Sequence, residues 1–207
     1  HRELRGISVY GVAPEEKTRY VSISKTKTFT PPSKNKEFVW GQLVKNIENA
    51  CIKARRYKLG ASEIVMFLKT QSFSSKGTKA KLTRISCFPN ELLPLARKLF
   101  DECFQEGEEY RSTGVVLANL TEHRPTQMGF FEEPLKLEYM QNLYEAVDIL
   151  SKKYGKHTVH SAASIEANTF DQHRGWRGHK PFRKIKKMLG ESARKRLGMP
   201  LLAGEIK

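Results

Sequence analysis

"YVSISKTKTFT", Tyr20 to Thr30, decides how the rest of the chain is read. It is rich in β-branched residues, and Ser22, Ser24, Thr26 and Thr28 alternate with Val21, Ile23, Lys25 and Lys27. A period of two marks a strand, because successive side chains on an extended backbone point to opposite faces. The strand is expected to stop at Pro31-Pro32, since proline cannot donate to a ladder. Ser33 to Asn35 then offers helix-start chemistry. Val39, Leu43, Ile47, Ala50, Cys51 and Ala54 follow at steps of three and four, one apolar stripe that needs a sheet to cover it.

Gly60 is the expected end of that helix. "EIVMFLKTQ" reads as a buried strand, "SSKGT" as a turn and "KAKLTRISCF" as the returning strand of a hairpin. "FPNELLPLARKLFDECF" is helical, with Asn90 as N-cap, Pro94 in the first turn, and Leu92, Leu95, Ala96, Leu99, Phe100 and Phe104 on one side. After a turn around Gly107, "YRSTGVVLANL" supplies a fourth strand. The order βαββαβ is the split βαβ, or ferredoxin-like, arrangement of the α+β class, in which two helices cover one face of a four-stranded sheet and leave the other free.

The totals agree with one sizeable domain, or a compact domain plus appendages: 207 residues, 39% hydrophobic. The 37 Lys and Arg outweigh 22 Asp and Glu for a net charge of +15, which suits a polyanionic partner such as nucleic acid, although membrane-surface proteins and plain solvated faces share that balance. Cys51, Cys87 and Cys103 form no C-x-x-C pair and read as reduced, buried thiols of a cytosolic protein. No signal peptide is expected from the pattern of this sequence, and no apolar run in it approaches the roughly 18 residues of a membrane span. A first residue of His1 suggests a piece of something longer.

A bare sheet face carrying hydroxyls, with Lys25, Lys27, Lys79, Lys81 and Arg84 around it, can lie along a phosphate backbone without reading bases. The same residues are also what an ordinary solvated sheet would show. Beyond Leu120 a polar connector contains "PTQMGFFEEP", Pro125 to Pro134, whose adjacent Phe130 and Phe131 need something to bury against. A helix follows, with Leu135, Tyr139, Leu143, Val147 and Leu150 as its stripe and Gly155 as its end. From Gln172 to Leu197 there are ten Lys or Arg and one acid, Glu191, the composition of a mobile basic tail.

No catalytic motif stands out. Glu15-Glu16, Glu108-Glu109 and Glu132-Glu133 fall in connectors and turns, and His157, His160, His173 and His179 lack acidic or thiolate partners at metal-binding spacing. There is no P-loop, dinucleotide fingerprint or nucleophile elbow.

"YVSISKTKTFTPP", "EFVWGQLVKNIENACIKARRYKL", "FLKTQSF" and "YRSTGVVLANL", recurring in this order, resemble the little finger domain of Y-family DNA polymerases, the bacterial translesion enzymes of the DNA polymerase IV type. The resemblance runs from "ELRG" to about Tyr154, and "RKRLGMPLLAGEI" is similar to C-terminal ends in that family. It implies the end of a thumb at 1–6, a linker at 7–19, the little finger at 20–121, a connector with a clamp-binding peptide at 122–134, a helix at 135–155 and a basic, partly flexible extension at 156–207. It further implies contact with primed or damaged duplex DNA by Ser22, Ser24, Lys25, Thr26 and Thr28 on the first strand and by Lys81, Thr83 and Arg84 on a neighbouring one.

"QMGFF" resembles the family's Q-L-x-L-F peptide, which docks on the bacterial sliding clamp: Gln127 and Met128 match, Phe130 replaces the usual Leu, and Phe131 closes it. By the same resemblance the metal-binding carboxylates belong to a palm that this chain lacks, as it lacks the fingers and thumb. The chain itself is then no enzyme and holds no cofactor, Mg²⁺ being the palm's, whereas its parent would be a DNA-directed DNA polymerase of the bacterial cytoplasm. The alternative is a free-standing ferredoxin-like RNA-binding module. Its signature of a basic residue and glycine followed by alternating aromatics is absent.

Overall fold

The computed structural model describes residues 5–6, 20–122 and 134–169. The elements are β1 (Ser22–Ser33), α1 (Lys36–Arg56), β2 (Leu59–Thr70), β3 (Ser75–Ser86), α2 (Pro89–Cys103), β4 (Tyr110–Glu122), α3 (Pro134–Tyr154), a single 3₁₀ turn at Ala162–Ser164 and α4 (Ile165–Thr169). The strands form one antiparallel sheet in the order β1-β4-β2-β3. Each helical crossover therefore skips one strand: α1 joins β1 to β2 with β4 between them, and α2 joins β3 to β4 with β2 between. The α+β arrangement read from the sequence is the one observed.

Apolar alternation sets which face is covered. Ile23 and Phe29 of β1, Ile64, Met66 and Leu68 of β2, and Val115 and Leu117 of β4 are all buried and face the helices. The whole predicted α1 stripe, from Val39 to Ala54, is sealed against them. One buried polar link crosses the same layer, Asn46 Nδ2 donating to the Thr113 carbonyl at 3.0 Å and to its Oγ1 at 2.9 Å. Burying an amide here is tolerable because both hydrogen bonds are made.

Several local expectations are corrected. β1 does not stop at Pro31-Pro32 but continues to Ser33, which pairs with Tyr110 after a register shift. As an edge strand with a bulge, β1 does not need the donor proline lacks; the Thr30-Pro31 bond is cis. Gly60 lies inside β2 and does not end α1. Lys58 takes the left-handed turn instead, at φ 53°, and its N–H bonds the Arg55 carbonyl at 2.9 Å. The hairpin turn precedes Ser75, so Gly77 sits within β3. Asn35 does cap α1, its Oδ1 accepting the Phe38 N–H at 3.0 Å. Asn90 does not cap α2. Pro89, with φ preset and no N–H to satisfy, starts that helix, Pro94 falls in its interior, and Asn90 accepts the Tyr144 hydroxyl at 2.9 Å.

The residues after β4 add an outer layer. α3 turns Met140, Tyr144 and Val147 inward, with Tyr144 stacked on Phe88 at 5.4 Å, while Tyr139, Leu143 and Leu150 of its expected stripe stay exposed. Arg55 of α1 grips Asp148 of α3 through two hydrogen bonds of 2.8 Å. The segment from Ser161 to Asn168, part of the extension read from the sequence as basic and partly flexible, packs on the back of α1. Gly41 leaves room for it, since a Cβ there would stand 3.1 Å from the Ala163 carbonyl. Lys45 donates to the Ala167 carbonyl at 2.8 Å, and buried Glu48 accepts Ser161 N–H at 2.6 Å and Ser164 Oγ–H at 3.1 Å. Among the described residues no helix is long and apolar enough to cross a membrane.

Candidate nucleic-acid interface

The face opposite α1 and α2 is built in rows that follow the strand register. Ser22, Ala118, Glu63 and Lys81 form one; Ser24, Val116, Val65 and Lys79 the next; then Thr26, Gly114, Phe67 and Gly77; and finally Thr28, Ser112, Lys69 and Ser75. The outer strands thus present different chemistry. β1 contributes an exposed rail of hydroxyls, and β3 contributes Lys79, Lys81 and Thr83, all exposed. With strands about 4.8 Å apart, the two rails stand about 14 Å from each other. Between them lies a half-buried apolar floor of Val65, Phe67, Val116 and Ala118.

Two glycines level that floor. The Phe67 ring lies over Gly114, where a Cβ would meet Cε2 at 2.7 Å, and a Cβ on Gly77 would meet the Phe67 Cβ at 3.0 Å. Any larger residue at Gly114 would lift the ring out of the plane. The rows hold a single acid, Glu63, whose side chain is only 13% exposed. It is held by Lys79 at 3.3 Å and by Asn119 Nδ2 at 3.2 Å, so it offers little repulsion to an anion. At the end of the face nearest the hairpin turn, Phe73 stands 65% exposed between Lys69, 5.3 Å from the ring centroid, and Arg111, at 4.4 Å.

Most of the residues named from sequence for DNA contact meet here. Ser22, Ser24, Thr26 and Thr28 line one rail, and Lys81 and Thr83 lie on the other. Lys25 and Arg84 do not join them. Lys25 points to the helix-bearing side, where burial, and after it the charges of Lys156, Lys53 and Arg56, hold its ammonium below the usual range. Arg84 points to the same side and is tied to Glu91 of α2. Lys27 shares Lys25's face, and its charge, after burial, lowers the Lys45 ammonium. Gln127, Met128, Phe130 and Phe131 lie outside the described residues. The sequence reading missed Phe67 with its two glycines, because "EIVMFLKTQ" looks uniformly buried until strand register sets Phe67 opposite Gly114 and Gly77. Among the described residues no group of three or more His, Cys, Asp or Glu is placed to hold a metal ion.

Residues 21–130, more than half of the chain, match the impB/mucB/samB family C-terminal domain. The chain belongs to the impB/mucB/samB family. That match lies within the stretch, from "ELRG" to about Tyr154, over which the sequence resembles the Y-family little finger. Among solved structures, the insertion ternary complex of Dbh DNA polymerase aligns with a TM-score of 0.43 at 15% identity, over 48% of this chain and 28% of that one. DinB from Sulfolobus solfataricus aligns with a TM-score of 0.42 at 16% identity, over the same shares. The PolIV little finger domain, in its complex with the beta-clamp processivity factor, aligns with a TM-score of 0.37 at 18% identity, over 54% of this chain and 99% of that one. This impB/mucB/samB domain therefore spans about 28% of the length of the polymerases it is similar to. No curated protein matches the chain.

Proposed function

We propose that this domain is the DNA-gripping little finger of a translesion DNA polymerase acting in lesion bypass, and that its open sheet face holds the template-primer duplex without regard to sequence. The observation that carries the reading is the pair of rails: hydroxyls on β1 and lysines on β3, about 14 Å apart, on the one sheet face that α1 and α2 leave bare. A B-form major groove is about 12 Å wide, so the two rails can each follow one of the phosphate strands that border it. Hydroxyls and ammonium groups bond phosphate oxygens and leave base edges unread. Lys25 and Arg84 take no part in this grip. In this reading the domain carries no cofactor and no catalytic centre of its own, Mg²⁺ being held by the palm of the parent polymerase, and the whole acts in the bacterial cytoplasm.

The same proposal gives the connector its role. Gln127, Met128, Phe130 and Phe131 dock in the hydrophobic cleft of the bacterial sliding clamp, two large apolar anchors supplying most of the affinity and Gln127 the orientation. Membership of the family and the motif's place beside the domain support it. Changing Phe130 and Phe131 together to Ala should abolish clamp binding in a pull-down with purified clamp and leave duplex affinity within about twofold; retained clamp binding would remove the motif from the account.

The DNA grip is tested by fluorescence anisotropy on a labelled primed duplex. Affinity should fall steeply with salt, and Lys79→Ala with Lys81→Ala should shrink the log–log slope by about 0.9 for each phosphate that is no longer neutralised. An unchanged slope would refute the rails. The RNA-binding alternative would draw on Phe67 and, at the end of the face, on Phe73, but the hydroxyl and lysine rails around these rings suit the phosphates of a duplex. Tighter binding to single-stranded RNA than to primed duplex would revive it.

A further inference from the structure

We infer that the helical side of the domain carries a second nucleic-acid site, a groove for single-stranded DNA between the C-terminal ends of α1 and α3. The groove, of about 1340 Å³, is lined by Arg56 and Lys58 from the end of α1 and by Lys152, Lys153 and Lys156 from α3 and the turn that follows it. Its one acid, Asp148, is already neutralised by the bidentate Arg55. None of the five lining cations makes an ion pair among the described residues.

Basic residues at helix ends often serve only to offset the helix dipole. Here the magnitudes decide against that role alone. Two helix C-termini present roughly −0.5 each, about one negative charge against five positive ones, and part of that is already satisfied by the Tyr57, Lys58 and Gly155 N–H groups that bond the last carbonyls. The surplus extends to Lys25, whose ammonium is depressed by Lys156, Lys53 and Arg56 after burial. Like charges gathered this closely without counter-charge are suited to a polyanion.

Aromatic rings on the rim make the occupant single-stranded. Tyr154 lines the groove at 46% exposure, and Tyr57, between the lining residues Arg56 and Lys58, is 43% exposed. Tyr57 in turn packs on Tyr20 at 4.6 Å, with Lys53 Nζ 4.5 Å from the Tyr20 centroid. A duplex hides its base faces, whereas a single strand offers them to exposed rings while its phosphates follow the cations. The groove lies away from the open sheet face, and the inference does not depend on that face's function.

The test uses the full chain and two labelled probes, a 20-nucleotide oligo-dT and a blunt duplex. Lys152→Glu, Lys153→Glu and Lys156→Glu together, all at exposed positions, should weaken oligo-dT binding at least tenfold, shrink its salt slope by about 0.7 for each phosphate released, and change duplex affinity less than twofold. Lys79→Ala with Lys81→Ala should do the converse. Tyr154→Ala should weaken oligo-dT several-fold with its salt slope unchanged, which a purely electrostatic patch would not show. The basic stretch beyond Gln172 is common to every variant and cancels in the comparison. Unaltered oligo-dT affinity in the triple variant, equal weakening of both probes, or an inert Tyr154→Ala would each overturn the inference.

Discussion

The ring of Phe67 lies across Gly114, occupying the space into which any other residue's Cβ would project. This cross-strand pair keeps the floor of the open face level between the hydroxyl and lysine rails. Gly114→Val should therefore cost about 1–3 kcal/mol in urea unfolding and weaken duplex binding as well. Adding Phe67→Ala should recover part of that stability, because the clash is between these two residues. Strictly additive losses would show that they do not compete for the space.

Arg55 and Asp148 tie α3 to α1 through a fork whose arginine is only 10% exposed. The same guanidinium donates to the Cys87 carbonyl at 3.1 Å and lies 4.6 Å from the Tyr144 ring. Asp148→Ala should destabilise by about 3 kcal/mol, since it strands a mostly buried charge. Arg55→Met combined with Asp148→Leu should lie closer to the parent than Asp148→Ala does. Melting of the parent and these two variants decides.

Burial pushes the Cys87 thiol from 9.0 up to about 12 and the Tyr144 hydroxyl from 10.0 up to about 12, and it raises Cys51 as well. Both groups are neutral acids whose folded pKa lies above the unfolded one. Their contribution is complete below pH 9 and is lost as the unfolded chain ionises first, across the window from 9 to about 12. Urea midpoints should be level near neutrality and fall across that window. A profile flat to pH 11 would contradict the burial.

Glu48 holds the segment from Ser161 to Asn168 against α1, with His157 Nδ1 also 3.4 Å from its Oε2. Glu48→Ala should speed amide exchange through that segment and leave β2 and β4 protected, because they pack on the other side of α1. Uniform acceleration over the whole domain would mean that the segment is part of the global folding unit.

Much of this architecture was legible in the chain because period two and period three-to-four are direct imprints of strand and helix geometry. β1, α1 and β4 show it clearly. What escaped depends on neighbours: Pro31 fits within β1 only because that strand is an edge, Lys58 adopts the left-handed turn that Gly60 was expected to supply, and α3 buries Met140 and Tyr144 because of where Asn90 and Phe88 stand. At the candidate site the hydroxyl rail was readable from alternation alone. The same alternation puts Lys25 on the other side, where the structure places it, whereas the family resemblance groups it with the rail. Phe67 and Gly114 come from segments far apart in sequence, and no local pattern links them before the register is known.

The strand order has a consequence for biosynthesis. Among the described residues β1 bonds to β4 alone, so the first strand of this sheet to leave the ribosome has no sheet partner until the sheet's last strand has been made. Until then β2 and β3 can zip as a hairpin while Ile23 and Phe29 wait without their lid. A nascent chain arrested before Tyr110 should therefore be protease-sensitive throughout β1, and resistance should arrive in one step once Glu122 clears the exit tunnel.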